Sequence, residues 1–265
     1  MIALSLAALL VCYWRTLSAL VLDWYRFDTS RHGLPVLLVV LALVWRDRRE
    51  FSRSEGAILP GLALVLWGGV QALVATLGVE LFLGRTAFLI ALAGVILFHY
   101  GWSALRVSAL PLLLFALAIP LPAILYNPAT GLLQTLASHM TETVLSLADV
   151  PLRWEGASMM FNGEPIRLID AYGCLRLAMA LAAGALAYGA WIHAVLWKRI
   201  ALCAAVFGVA IALSSLRMIV VAWFDESSPR LSSWVLANLS PWVMVTLVFL
   251  LVVAAERLLW RRWAR

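Results

Sequence analysis

The sequence predicts an all-α polytopic membrane protein with about eight transmembrane helices and a small extracytoplasmic loop region. Three observations indicate this class. Hydrophobic residues make up 64% of the 265 residues, charged residues make up 13%, and the mean hydropathy is +0.96. The apolar residues come in blocks of about 20, the length that a helix needs to cross a bilayer. The basic residues gather between these blocks.

The apolar blocks define the predicted spans, with ends good to a few residues. In chain order they are 2–20, 33–45, 57–76, 86–104, 107–125, 172–192, 200–222 and 234–255. The first block has no basic region before it and no signal-type cleavage site, so we expect it to be retained as a membrane helix. We expect one transmembrane domain over residues 1–265.

Clustered cations predict the topology. They follow every second span, at Arg46, Arg48, Arg49 and Arg53, at Arg106, at Lys198 and Arg199, and at Arg257, Arg261, Arg262 and Arg265. The positive-inside rule places these junctions and both termini in the cytoplasm, which predicts a multi-pass protein of the inner (cytoplasmic) membrane. The formal net charge of +6 therefore reflects topology in the lipid bilayer, and no nucleic-acid partner is expected.

The extracytoplasmic loop region is expected over 126–171. Within it, 131–148 has helical apolar spacing and predicts an amphipathic helix along the membrane surface or a re-entrant segment. The stretch 150–170 predicts one or two short strands around a turn at Asn162-Gly163. Pro128 and Gly131 are typical of loops and turns.

Two arginines inside apolar spans are candidate functional residues, because a charge in the membrane is costly. Arg176 lies near the start of the sixth span and Arg217 late in the seventh. Each could bind a carboxylate, stabilise an oxyanion or lower the pKa of a thiol. The alternative is that each snorkels to the interface or pairs with an acid such as Asp170 or Asp225.

Cys174 is the cysteine nearest to these arginines. It is either a nucleophile activated by a helix N-terminus and a cation or a small buried apolar residue. Cys12 and Cys203 lie within spans and are expected to be structural. The three cysteines have no metal-binding or disulfide spacing, and no cofactor is expected. Among the histidines, His32 and His139 fall on the predicted outer side, where each could be an acid or base or make a local hydrogen bond.

Several segments, in order, resemble the exosortase/archaeosortase family of membrane proteins. They are "SRHGLPVLLVVLALVWRDR" (30–48), "PLLLFALAIPLP" (111–122), "LADVPLRWEGASMMFNGEPIRLIDA" (147–171) and "SSLRMIVVAW" (214–223). The resemblance implies a protein that cuts and sorts exported substrates with a C-terminal tail made of a motif, a membrane helix and a basic end. It implies a catalytic cysteine, a later arginine and a histidine before the last span.

The resemblance also shows departures from the family pattern. Alignment on Leu175-Arg176 places Tyr172 at the family's cysteine and Cys174 at a glycine. Arg217 matches the later arginine, and Ala237 or Asn238 stands where the histidine belongs. Two helical positions differ by about 200°, so Cys174 replaces the cysteine only if the start of the helix is shifted. Tyr172 could act as nucleophile or acid, and Asn238 could orient a group.

Two functions follow from these residues. The first is an exosortase-like protein that recognises the C-terminal sorting tails of exported proteins, with its cysteine peptidase or transpeptidase chemistry either kept in diverged form or lost. The second is an inactive binding or scaffold subunit of a sorting or surface-polysaccharide system. A membrane partner subunit that supplies the missing histidine is left open. A transporter is disfavoured because acidic residues are nearly absent from the spans.

Overall fold

The computed structural model describes residues 2–26, 32–48, 55–147, 152–155, 158–161, 164–165, 173–191 and 196–227. These residues form mostly α-helix, with one small sheet. The chain divides into two compact units, Met1–Pro122 and Ala123–Arg265, and each is described here by itself.

The described residues of the first unit form five helices. They are α1 (Ile2–Cys12), α2 (Trp14–Arg26), α3 (Gly33–Asp47), α4 (Ile58–Leu77) and α5 (Leu81–Leu117). The predicted spans 33–45 and 57–76 correspond closely to α3 and α4. Helix α5 packs against the other four helices, so it forms the centre of this unit.

The first predicted span, 2–20, falls on two helices with a bend between them. The chain direction changes by 69° between α1 and α2, and Tyr13 lies at the bend. Its hydroxyl donates to the carbonyl oxygen of Gly68 on α4 at 2.9 Å, and its ring packs edge-on to Phe88 of α5 at 5.6 Å. Tyr13, Leu9, Ala87, Ala91 and Val95 form a buried core with Phe88. The bend is therefore fixed by contacts distant in sequence.

A tight turn reverses the chain between α4 and α5. The N–H of Gly78 donates to the carbonyl of Val74 at 2.8 Å, and Val79 adopts a left-handed conformation with φ 53°. Glu80 then caps α5, because its carboxylate accepts from the N–H of Leu83 at 2.7 Å. Helices α4 and α5 consequently run antiparallel.

Glycines let α4 and α5 approach at backbone distance. A Cβ on Gly94 would lie 2.7 Å from the backbone nitrogen of Val65, and one on Gly61 would lie 2.5 Å from the Cα of Phe98. Only small residues of α4 are buried, namely Gly61, Gly68 and Ala75. Close contact through small residues is how membrane helices associate when lipid removes the hydrophobic driving force.

Helix α5 breaks a few residues before the predicted boundary between the fourth and fifth spans. The sequence predicts a connection at Arg106, whereas helix continues through Arg106 and the non-helical residue is Gly101, with φ 73° and ψ −170°. Glycine has no Cβ, so it adopts this backbone conformation at little cost. Arg106 instead occupies an exposed helical position.

The C-terminal end of α5 is capped by side chains of α2 and of the segment before α3. The indole Nε1 of Trp24 donates to the carbonyl of Ala118 at 2.7 Å. His32 Nε2 lies 3.2 Å from the carbonyl oxygen of Leu117, and since a carbonyl only accepts, this nitrogen carries the hydrogen. A Cβ on Gly33 would lie 2.2 Å from the Trp24 indole nitrogen, so glycine is required there.

Within the part of the second unit that the structure describes, there are three helices and a three-stranded sheet. The helices are α6 (Ala123–Ser146), α7 (Gly173–Trp191) and α8 (Leu196–Ser227), and the strands are β1 (Leu152–Glu155), β2 (Ser158–Phe161) and β3 (Glu164–Pro165). The sheet is antiparallel in the order β1-β2-β3. Phe161 of β2 pairs with Glu164 of β3, so the predicted turn dipeptide separates these two strands.

Helix α6 begins before the amphipathic segment predicted from the sequence. Pro128 and Gly131, interpreted as loop residues, lie inside it. Proline removes one hydrogen bond near the start of the helix, and packing of α6 against α8 outweighs that loss. The buried face of α6 carries hydroxyls, from Thr130, Ser138 and Thr141. Several of its large apolar side chains are exposed, at Leu132, Leu136, Met140 and Val144, whereas Leu145 is buried.

Within the described ranges, α4 and α5 are long and apolar enough to cross a membrane, and α1 with α2 forms a third candidate if the bent pair is one span. The last predicted span, 234–255, lies outside the described residues.

Candidate functional site

Helices α7 and α8 carry three of the predicted site residues. The short segment 192–195 separates the two helices, and they pack against each other, so they run antiparallel. The start of α7 therefore lies beside the later turns of α8. Cys174 and Arg176 are in the first turn of α7, and Arg217 is in the later part of α8.

The packed stripe of α7 includes the helical position of Cys174. Leu177, Ala178, Leu181 and Ala185 form a buried cluster with Val206 and Ala210 of α8. Cys174 precedes Leu181 by about two helical turns, and residues at that spacing lie on one face. The position of Cys174 is thus on the face of α7 that packs against α8.

The packed stripe of α8 includes the helical position of Arg217 in the same way. Val206 and Ala210 are buried against α7, and Leu213 packs on the cluster. Arg217 follows Ala210 by about two turns and Leu213 by about one turn, so it continues this stripe. Counted from the connection, Cys174 is level with Leu213, and Arg217 is about 6 Å further along the axis.

The other predicted residues are placed differently. Arg176 is two positions from Cys174, about 200° around α7, and so lies off the stripe that faces α8. Tyr172 and Asn238 lie outside the described residues. Sequence and backbone register therefore bring the positions of Cys174 and Arg217 to one end of the helix pair, on facing surfaces.

Helix α6 contacts α8 close to Arg217 through buried hydroxyl groups. Ser215 Oγ donates to the carbonyl of Ala137 at 2.9 Å, and Thr141 Oγ1 donates to the carbonyl of Ser215 at 3.4 Å. Thr141 is fully buried and Ser215 is 3% exposed. Because Ser215 is about 200° from Arg217 around α8, the α6 contact and the α7-facing stripe are on different sides of α8.

The histidines considered as acid or base have other surroundings. His139 is exposed on α6, and its Nδ1 lies 3.5 Å from Glu142 Oε2. It is two positions from both Ala137 and Thr141, which face α8, so it is on the opposite side of α6. His32 is in the first unit at the end of α5, and His99 hydrogen-bonds Ser5 at 2.9 Å. His193 falls outside the described residues.

The two other cysteines lie in helices. Cys12 is exposed at the end of α1, and Cys203 is partly buried and packs on the cluster between α7 and α8. In the described part of the chain, no group of three or more His, Cys, Asp or Glu side chains is arranged to hold a metal ion.

Sequence reasoning missed one charged pair. Arg85 of α5 is 4% exposed, and its Nη2 donates to the Asp23 carboxylate of α2. The signal was an arginine inside the apolar run "LFLGRTAFLIAL", which the predicted span 86–104 excluded by one residue. A buried pair of this kind ties α2 to α5.

Long apolar helices, small-residue packing and ionisable residues within apolar helices define an integral membrane protein. A family model for transmembrane exosortase (Exosortase_EpsH) matches residues 24–254. The match covers most of the chain, so the protein belongs to the exosortase family, which confirms the resemblance seen in the sequence. No curated protein and no solved structure matches the chain.

Proposed function

We propose that this exosortase-family protein recognises and cuts the C-terminal membrane-anchored sorting tail of exported proteins, with Cys174 as nucleophile. It acts as a multi-pass protein of the inner membrane with about eight spans and both termini in the cytoplasm. The tail binds at the outer end of α7 and α8, beside the positions of Cys174 and Arg217, and Tyr172, Arg176 and Asn238 are the further candidate residues of this site.

The observation that supports this function best is the register of Cys174 and Arg217 on facing stripes of α7 and α8. A helix N-terminus and a nearby guanidinium both favour the thiolate form of a cysteine. The thiolate attacks the scissile carbonyl carbon, and the developing oxyanion receives hydrogen bonds from Arg217. The C–N bond then breaks, and the leaving amine takes a proton from water or from Tyr172. Water or an acceptor nucleophile resolves the thioester.

A second function is favoured by one observation in the sequence. No histidine follows Arg217, although the family resemblance implies one before the last span. A protein that has lost this base can still bind an acidic group through Arg176 and Arg217. It would act as a binding or scaffold subunit of a sorting or surface-polysaccharide system.

The pH dependence of Cys174 alkylation tests the catalytic function. Cys12 and Cys203 are replaced by serine, and a membrane-impermeant maleimide is applied to membranes at a series of pH values. An activated thiolate labels from outside with an apparent pKa well below the reference of about 8.5. Slow or absent labelling would rule out Cys174 as an activated nucleophile and leave the binding function.

Two substitutions separate the functions further. The probe is an exported reporter protein that carries the C-terminal tail of a substrate from the same cell. An enzyme loses reporter processing on Cys174→Ala and on Arg217→Ala. A binding subunit tolerates Cys174→Ala and loses reporter retention on Arg217→Ala. Arg106→Ala, at an exposed arginine of the first unit, is the matched control and is expected to leave both readouts unchanged.

A further inference from the structure

The contact between α6 and α8 depends on two buried hydroxyl groups that each have two acceptors within reach. Ser215 Oγ lies 2.9 Å from the carbonyl of Ala137 on α6 and 3.0 Å from that of Ile211 on its own helix. Thr141 Oγ1 lies 2.9 Å from the carbonyl of Ala137 on its own helix and 3.4 Å from that of Ser215. Each hydroxyl can therefore donate either to a carbonyl of its own helix or to a carbonyl of the neighbouring helix.

This arrangement is reciprocal between the helices. A hydroxyl has one hydrogen to donate, so each side chain divides it between its own backbone and the neighbouring helix. When both donate across, Ser215 contacts the backbone of α6 and Thr141 contacts the backbone of α8. Two such bonds on one crossing restrict both sliding and axial rotation of α8 against α6.

Rotation of α8 about its axis decides which neighbouring helix the position of Arg217 faces. Arg217 follows Ser215 by two residues, about 3 Å along the axis and 200° around it. When Ser215 faces α6, the position of Arg217 falls on the stripe that continues Val206 and Ala210 toward α7. A rotation that releases Ser215 from Ala137 carries Arg217 off this stripe by the same angle.

We propose that Ser215, held by Ala137 and Thr141 of α6, is a positioning residue that fixes the rotation of α8 and so keeps the helical position of Arg217 on the stripe that packs against α7. This inference rests on the proposed function, because it concerns the same cysteine and arginine. Neither hydroxyl takes part in the reaction itself. Their effect passes through the backbone of α8.

The experiment measures the apparent pKa of Cys174 by maleimide alkylation in membranes, with Cys12 and Cys203 replaced by serine. Ser215→Ala and Thr141→Val each remove one hydroxyl, and valine keeps the shape of threonine. Ser214→Ala and Thr143→Val are the matched controls. Ser214 is the neighbouring serine of α8, and the Thr143 hydroxyl is exposed and donates to the His139 carbonyl of its own helix.

The reference is Arg217→Ala, which is expected to raise the apparent pKa by about one unit, roughly a tenfold loss of thiolate near neutral pH. Ser215→Ala and Thr141→Val are each expected to raise the apparent pKa of Cys174 as well. Ser215→Thr keeps a hydroxyl at this position and is expected to keep the original pKa. The double variant Ser215→Ala/Arg217→Ala should match Arg217→Ala alone, because coupled residues are not additive. Both control variants should keep the original profile.

The outcomes separate the two proposals. If Arg217→Ala raises the pKa and neither Ser215→Ala nor Thr141→Val does, the positioning role is wrong and the proposed function stands. Additive shifts in the double variant also overturn positioning, since they show an effect independent of Arg217. If Arg217→Ala leaves the pKa unchanged, both the thiolate-stabilising role and the positioning role fail. If Ser215→Ala does not fold, Thr141→Val still tests the positioning role, because it removes the other hydroxyl of the contact. Ser215→Thr then tests whether a hydroxyl at position 215 is sufficient to keep the pKa of Cys174.

Discussion

Arg85 of α5 and Asp23 of α2 form an ion pair in which the guanidinium is buried and the carboxylate is partly exposed. Their side chains are 3% and 23% exposed. They are 62 residues apart in the chain, and both belong to the first unit. The pair holds the second half of the bent α1–α2 segment against the central helix.

Removing the carboxylate charge should destabilise the first unit. Asp23→Asn leaves the Arg85 charge buried without a counter-ion, which costs about 3 kcal/mol or more of unfolding free energy. The loss is measured as a lower midpoint of thermal unfolding in detergent. Asp47→Asn is the control, because its partner Arg46 is adjacent and both side chains are partly exposed, so about 1 kcal/mol or less is expected. Equal shifts for the two variants would contradict a buried structural pair.

Two glycine substitutions should change stability in opposite directions. Gly94→Ala forces a Cβ to within 2.7 Å of the Val65 nitrogen, and overpacking of this kind costs about 1–3 kcal/mol. Gly69→Ala meets nothing within 4 Å, so its higher helix propensity should stabilise α4 by about 0.5–1 kcal/mol. Thermal unfolding of both variants in one detergent checks the sign. A stabilising Gly94→Ala would mean that α4 and α5 are not in backbone contact.

The turn between α4 and α5 should tolerate glycine better than its native valine. Val79 has φ 53°, a conformation that costs a residue with a Cβ about 1–2 kcal/mol. Val79→Gly is therefore expected to raise the unfolding free energy by about 1 kcal/mol. Val70→Gly, at an exposed position inside α4, should lower it by about 0.5 kcal/mol, because glycine has a lower helix propensity than valine. If both variants are destabilised alike, the turn is not strained.

His139→Ala should leave the alkylation profile of Cys174 unchanged. The imidazole is exposed beside Glu142, on the side of α6 away from α8. It therefore has no path to the stripe that includes Cys174. Arg217→Ala, measured in the same membranes, shows that the assay responds. A shifted profile in His139→Ala would identify this histidine as the base that the family resemblance leads us to expect.

Local apolar patterns predicted most helices and missed their bends. The apolar blocks at 57–76 and 172–192 correspond to α4 and α7 because a span needs a continuous run of apolar residues. The bend at Tyr13 was not predictable from the block 2–20, since it depends on a hydrogen bond to Gly68, 55 residues away. Helix α6 was predicted too short because Pro128 usually marks a boundary.

The candidate site was predictable only in part for a similar reason. Cys174 and Arg217 stand out in the sequence because reactive or charged residues are unusual in apolar spans. Their relative placement required the register of α7 against α8, which the apolar pattern alone does not give. Ser215 and Thr141 carry no charge, and serine and threonine are common in membrane helices, so their contact appeared only with the fold.

The small-residue contact between α4 and α5 has a consequence for how the protein responds to its surroundings. Most large side chains of α4 are exposed, and the buried residues of this helix are Gly61, Gly68 and Ala75. In a bilayer, acyl chains compete with the neighbouring helix for the same dispersion contacts. The free energy that joins the two helices is thus a difference between protein and lipid packing. The stability of the contact between α4 and α5 therefore depends on the length and saturation of the surrounding acyl chains.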